Sequence, residues 1–212
     1  MNFEALTEQR HSVRRYQPGL TISDEALRKI FSQVQRSPSS FNLQHWRFVV
    51  VRELARKQAL RGLSYGQQQV EDCAAAVIVC GRLDAFEDAA HLYAAAPADV
   101  RDKFVPMIGA AYRDQPALQR EEAIRSGALA AMTLMYAAKH FGWDSGPMIG
   151  FDAQQVSTLL ELTPNITPVM LVTIGKALNG EQPPRLYRRP LREIVHLETL
   201  RGDSLADWNT RA

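Results

Sequence analysis

Arg10 and Arg14 flank Ser12, and in an extended segment this alternation puts all three on one side. Two guanidinium forks and a hydroxyl converging on one spot suit a phosphate, whose oxygens the fork meets two at a time. A solvated basic face would use the same residues, and the segment alone leaves both open. A second cationic cluster, Arg185, Arg188 and Arg189, lies near the other end of the chain. A phosphate of about two negative charges would gain from cations drawn from both ends; taken singly, each cluster also fits a solvated charge run. Between them are two further polar stretches. Ser37-Pro38-Ser39-Ser40-Phe41-Asn42-Leu43-Gln44-His45-Trp46 carries amides that each offer a donor and an acceptor, matching a flat ligand edge that mixes the two. As an isolated stretch it is also an ordinary turn. In Ser145-Gly146-Pro147-Met148-Ile149-Gly150-Phe151-Asp152 the glycines permit close backbone approach and Asp152 can cap a following helix, so this is either a structural turn or a backbone platform for a ligand.

Other chemistries are missing. The chain has no GxxxxGK[ST] loop, GxGxxG, HExxH or GxSxG, and its five histidines are scattered. No metal site is expected. Cys73 and Cys80 lack a CxxC pattern and read as small apolar side chains of a buried element in a reduced, cytoplasmic setting. Lys plus Arg total 25 against 23 acids, a net charge of +2, which disfavours nucleic acid as partner. The stretch MNFEALTEQR carries acids without an apolar run, so no secretion leader is expected, and no uncharged apolar run reaches the ~20 residues of a membrane span. With no nucleophile or acid–base pair in view, the chemistry calls for a cofactor.

These segments must be held by a modest set of elements. A helix is expected over Phe3 to Arg10. A second begins at the cap Ser23, has Leu27, Ile30, Phe31 and Val34 at helical spacing, and ends before Pro38. The β-branched runs 47–51 and 76–80 read as central strands buried on both faces, with a helix over 53–63 between them. Residues 82–122, alanine-rich and broken by Pro97, Pro106 and Pro116, read as short helices in an insertion. From Glu122 to Phe141 the pattern is apolar almost all round, the mark of a helix buried in a core or a subunit interface. WDSGPMIGF then reads as a tight connection, 153–162 as a helix, 168–175 as the third clear strand, and 193–196 as a last strand-like run. Strands mixed with longer helices argue for an α+β domain.

In this order, RxSxR near residue 10, SPSSxNxQxW running into a strand, GPMxGFD after a long apolar helix and a late R-x-P-L run resemble the FMN-dependent nitroreductase family across nearly the whole chain, most closely its NAD(P)H nitroreductases that act on quinones. The resemblance implies one α+β domain over 1–212, with a central, mostly antiparallel sheet flanked by helices, 82–122 as a helical insertion near the substrate pocket and 180–212 as a C-terminal extension. It implies an interlocked homodimer with a long buried interface helix and FMN at the subunit boundary. Arg10, His11, Ser12 and Arg14, joined by Arg188 and Arg189, would hold the FMN phosphate and ribityl chain. Ser39, Ser40 and Asn42 would face the flavin from the partner chain, Gln67 and Gln69 its pyrimidine side or ribityl chain, and Pro147, Ile149 and Gly150 the ring near N5. No residue is expected to be catalytic itself. Electrons would pass from NAD(P)H to a nitroaromatic or quinone by ping-pong hydride transfer; a dehalogenase, ring dehydrogenase or flavin-destroying relative, or a non-catalytic flavin- or nucleic-acid-binding protein, are the alternatives. Two positions depart from the family pattern. His45 stands where proline is common, its role open, and Gln67 where asparagine is frequent.

Overall fold

The computed structural model describes residues 1–180 and 184–206, which fall into two compact units at that break. In the first unit, helix α1 (Phe3–Gln9) is capped by Asn2, whose side chain accepts from the Ala5 amide at 2.9 Å. Helix α2 (Asp24–Val34) starts as expected on Ser23 and buries Leu27, Ile30 and Val34. Strand β1 (Trp46–Val51), helix α3 (Leu54–Gly62), the single turn α4 (Gln69–Asp72) and strand β2 (Ala75–Arg82) follow. Next come α5 (Ala89–Leu92), α6 (Ala98–Tyr112), the long α7 (Pro116–His140), β3 (Asp144–Met148), α8 (Ala153–Leu159) and β4 (Ile166–Gly175). The second unit holds the short α9 (Leu191–Ile194).

The four strands form one antiparallel sheet in the order β1-β2-β4-β3. One face, through Val77, Val79, Val172 and Ile174, packs on α2 and α7. The other, through Ile78, Cys80 and Leu171, packs on Val13, Leu60, Val70 and Val156. Strand β2 is buried on both faces, as its β-branched run predicts. Cys73 and Cys80 are free thiols in this core, and burial pushes both pKa values up to about 12.

Five expectations are corrected. Strand β1 is an edge, not a central strand: Arg47 is exposed and Phe48, Val49 and Val50 are only half-buried. The stretch read as a connection contains β3, which a sequence of glycine, proline and small polar residues conceals; Pro147 is tolerated because β3 is the opposite edge. Pro106 does not break α6, since Pro106 and Asp102, whose carbonyl loses its partner, both lie on an exposed side. Pro116 opens α7 in the first turn, so that helix begins six residues earlier than the apolar pattern suggested. The run 193–196 ends α9 and gives only a bridge from His196 to Ser204, not a strand.

Helix α7 reaches the sheet closely where side chains are absent. A Cβ on Gly81 would sit 2.5 Å from the Ala123 carbonyl oxygen. Gly81→Ala should therefore destabilise the protein by about 1–3 kcal/mol, the usual cost of overpacking. Urea unfolding checks this, and an unchanged midpoint would show that the helix–sheet contact is looser than described.

Candidate functional site

The segment carrying Arg10, Ser12 and Arg14 is bound to the edge of the sheet. Ser12 forms a parallel bridge with Ser145 of β3, and the Val13 N–H donates to the Ser145 carbonyl at 3.0 Å. Further on, Tyr16 bridges Ala177, Gln17 N–H donates to Lys176 O, and Leu178 N–H donates to Arg15 O, each N–H bond 2.9 Å long. Val13 and Tyr16 point into the core, while Ser12 and Arg14 are exposed, so the alternation read from the sequence is present. Arg10 is half-buried, as is His11, whose Nδ1 lies 3.0 Å from the Gln9 carbonyl. Docking requires Gly146: a Cβ there would overlap the Val13 carbonyl and come within 3.0 Å of Thr173 Oγ1. Below it, Tyr16 and Thr173 share a 2.8 Å hydroxyl bond and Thr173 Oγ1 donates to the Gly146 carbonyl at 3.0 Å; burial pushes the Tyr16 phenol pKa up.

The same edge gathers two more predicted groups. Gln67 Nε2 donates to the Gly150 carbonyl at 3.0 Å and to Ser64 O at 3.1 Å. Gln69 Nε2 reaches Gln67 Oε1 at 3.4 Å and Met148 Sδ at 3.6 Å. Pro147 lies in β3, and Ile149, just beyond it, is 76% exposed. The Asp152 N–H donates to Leu63 O at 2.8 Å, tying the end of this stretch to the loop before Gln67. Asp152 also caps α8 as predicted, and hydrogen bonds from the Gln155 amide and side chain and the Gln154 amide hold its carboxyl below the usual range. Thus Ser12 and Val13 at Ser145, and Gln67 and Gln69 at Met148 and Gly150, bring three parts of the sequence to β3 and the turn that follows it. What sits there is a cationic and hydroxyl-bearing strip beside an exposed apolar tip and two amides. Tyr65, missed by the sequence reading, stands next to it: its ring lies 3.7 Å from where a Gly150 Cβ would be, and it holds φ at 54°.

Ser39, Ser40 and Asn42 are not brought there within one chain. Their loop enters β1, at the opposite edge and three strand spacings from β3, roughly 14 Å across the sheet. It is a strained loop, with Phe41, Asn42 and Gln44 at φ 49°, 54° and 50°. Its shape is fixed by side chains: Ser39 Oγ accepts from the Gln44 N–H at 3.0 Å, Tyr93 donates to Phe41 O at 3.1 Å, and Tyr112 donates to Ser40 Oγ at 2.8 Å. Asn42 itself is exposed.

His45, left open by the sequence, is 1% exposed. Ser126 Oγ donates to the Glu122 carboxylate at 3.1 Å, so across the 3.3 Å contact to His45 Nδ1 it must accept. The imidazole therefore carries its hydrogen on Nδ1 and locks the start of β1 to α7. Desolvation lowers its pKa below the ordinary value, against the pull of Glu122. Only tertiary contacts disclose this chain of three polar groups. Phe86, Tyr93 and Phe104, half-buried, pack with Phe41 around buried Tyr112 and Leu43 in a separate aromatic cluster. In the second unit, Arg188 donates to the carbonyls of Leu186 and Tyr187 at 3.2 and 3.3 Å, and Arg189 pairs with Glu193 at 2.9 Å.

Residues 7–176 match the model of the Nitroreductase family. MhqN of Bacillus subtilis (strain 168), provisionally named an NAD(P)H nitroreductase, is 35% identical over 200 residues, spanning 91% of this chain and 97% of that one. Among solved structures, the provisionally named nitroreductase ydfN of Bacillus subtilis superposes with a TM-score of 0.88 at 34% identity, covering 92% of this chain and 97% of that chain. A protein of Exiguobacterium sibiricum, provisionally named a nitroreductase and solved in complex with FMN, has a TM-score of 0.85 at 30% identity over 92% of this chain and 96% of its own. The chain belongs to the nitroreductase family and has its fold. No helix among the described residues is long and apolar enough to cross a membrane.

Because folding lowers the His45 pKa, the neutral imidazole contributes stability above the unfolded value of about 6.5, lost as pH falls through the lower folded value. Unfolding free energy should drop between pH 7.5 and 5, and H45Q should flatten that slope; a slope identical in the variant counts against the buried neutral imidazole. Gly146→Ala should cost about 1–3 kcal/mol and loosen residues 10–17, read as faster amide exchange at Val13 and Gln17. Unchanged protection at both amides would contradict the docking described.

Proposed function

We propose that this chain is an FMN-dependent oxidoreductase that passes electrons from NAD(P)H to nitroaromatics or quinones, acting as a homodimer with residues 1–212 as one functional domain. The observation that carries the reading is the docking of the Arg10–Ser12–Arg14 strip on β3 beside Gln67, Gln69 and the 147–150 stretch. The donor set fits the cofactor: guanidinium and hydroxyl groups for a phosphate, amides for a ring edge that mixes donors and acceptors, and at Gly150 a backbone without a side chain, where a Cβ would press on Gln67 Nε2 at 3.2 Å. The FMN complex of the Exiguobacterium relative and the name of MhqN support the choice of cofactor and donor.

On this reading Arg10, His11, Ser12 and Arg14 hold the phosphate and ribityl chain, with Arg188 and Arg189 as further cations for it. Gln67 and Gln69 meet the polar edge, and Pro147, Ile149 and Gly150 lie over the ring. When bound, FMN would supply the redox chemistry, hydride-level electron transfer between NAD(P)H and the acceptor in ping-pong order. The protein's residues orient the partners and exclude water; none is assigned a covalent or acid–base role. Ser39, Ser40 and Asn42 belong to the opposite sheet edge, so they would complete the site from a second chain. A second copy also accounts for the outer side of α7, where Ile124 and Leu129 remain 38% and 45% exposed among alanines.

The purified protein should be yellow, release FMN on denaturation, bleach with NADPH and recover its colour with menadione or a nitrofuran. Arg10→Ala and Arg188→Ala should each weaken FMN binding about 10–100-fold, as expected for loss of a charge-assisted hydrogen bond, with the helical signal intact. Full colour in both variants sinks the phosphate assignment. A colourless wild type that takes up no added FMN sinks the proposed function.

A further inference from the structure

The flavin reading gives Ser40 a ligand contact but says nothing of the phenol behind it. Tyr112, the last residue of α6, is 4% exposed and donates its hydroxyl to Ser40 Oγ at 2.8 Å. A serine hydroxyl has a single hydrogen. With its oxygen already accepting from Tyr112, Ser40 keeps that hydrogen for another acceptor, and Ser40 itself is only half-buried. The phenol has little freedom to do otherwise. Its ring stacks on Phe86 at 6.0 Å and 15° and meets Phe41 edge-on at 6.4 Å, while its carbonyl accepts from Gln119 Nε2 at 2.8 Å. Burial raises its pKa, which keeps the donor protonated.

The neighbours of Ser40 are fixed as firmly. Tyr93 holds the Phe41 carbonyl, Ser39 Oγ holds the Gln44 amide, and the His45–Ser126–Glu122 chain anchors the loop where it enters β1. Three non-glycine residues of this loop stay in the left-handed region, a conformation that persists only when surrounding contacts impose it. A plain turn would need none of these pins.

We propose that Tyr112 is a positioning residue that makes Ser40 a committed hydrogen-bond donor to an acceptor atom of the bound cofactor, FMN on the reading given above, on which this inference rests. Part of the helical insertion then serves to set the polarity of one hydroxyl at the site.

A double-mutant cycle on FMN affinity tests this, with the apo-protein titrated against FMN and binding followed by quenching of flavin fluorescence. Y112F should weaken binding about 3–10-fold, the worth of one neutral hydrogen bond, and S40A by a similar factor. The double variant should bind no more weakly than S40A alone, because the phenol acts only through that oxygen. A packing role would instead weaken binding by the same factor in both backgrounds. That result, or an unchanged affinity in Y112F, overturns the inference while leaving FMN binding by the wild type intact. A wild type that binds no FMN overturns the proposed function and this inference together. Should Y112F melt far below the wild type, S40T and S40A carry the comparison: threonine keeps an oxygen for the phenol, so S40T should hold near-wild-type affinity, and equal loss in both variants overturns the inference.

Discussion

The first unit turns on the space left by a missing side chain. The Val13 carbonyl occupies the volume that a Cβ at position 146 would fill. That close approach lets an irregular N-terminal segment hydrogen-bond to the sheet edge as if it were a fifth strand. Beneath it, the Tyr16–Thr173–Gly146 bonds pair three of the polar groups the contact buries, while the buried Ser145 Oγ beside them has no partner among the described residues. Arg10, Ser12 and Arg14 are carried by this segment, which takes its position from β3.

The opposite edge is organised by another means. The loop before β1 has three left-handed residues and no ladder of its own, and such strain costs of order 1–3 kcal/mol per residue. What opposes the strain is a set of side chains from three elements: Tyr93 at the end of α5, Tyr112 on α6, and Ser126 with Glu122 on α7. Buried polar groups of this kind are costly when unpaired, so the loop and its supports form together or not at all. One edge of the sheet thus offers guanidinium groups and bare backbone, the other a rigid set of hydroxyls and an amide.

Much of this was legible in the residues. Ser23 and Asp152 announced two helix starts because a capping side chain acts over three residues, and both cap in the structure; Glu53, which caps α3, was read only as part of that helix. Strand β2 declared itself by an unbroken run of buried apolar residues. The alternation of Arg10, Ser12 and Arg14 was visible for the same reason, since it depends only on the twofold repeat of extended backbone. These signals are local, and together they were enough to suggest the family to which the chain belongs.

Edge or centre, by contrast, is a property of strand order, and no local feature of Trp46–Val51 distinguishes the two. Strand β3 was hidden because its serine, glycine and proline have poor strand propensity, and it exists through pairing with β4. The partners of His45 lie 77 and 81 residues away at Glu122 and Ser126, and Tyr112 is 72 residues from Ser40. Sequence determined which side chains could act and where the capped helices and the apolar strand β2 would form. The tertiary structure alone decided which of them meet, because burial, a tautomer or a hydroxyl's direction is set by neighbours that only the folded chain supplies.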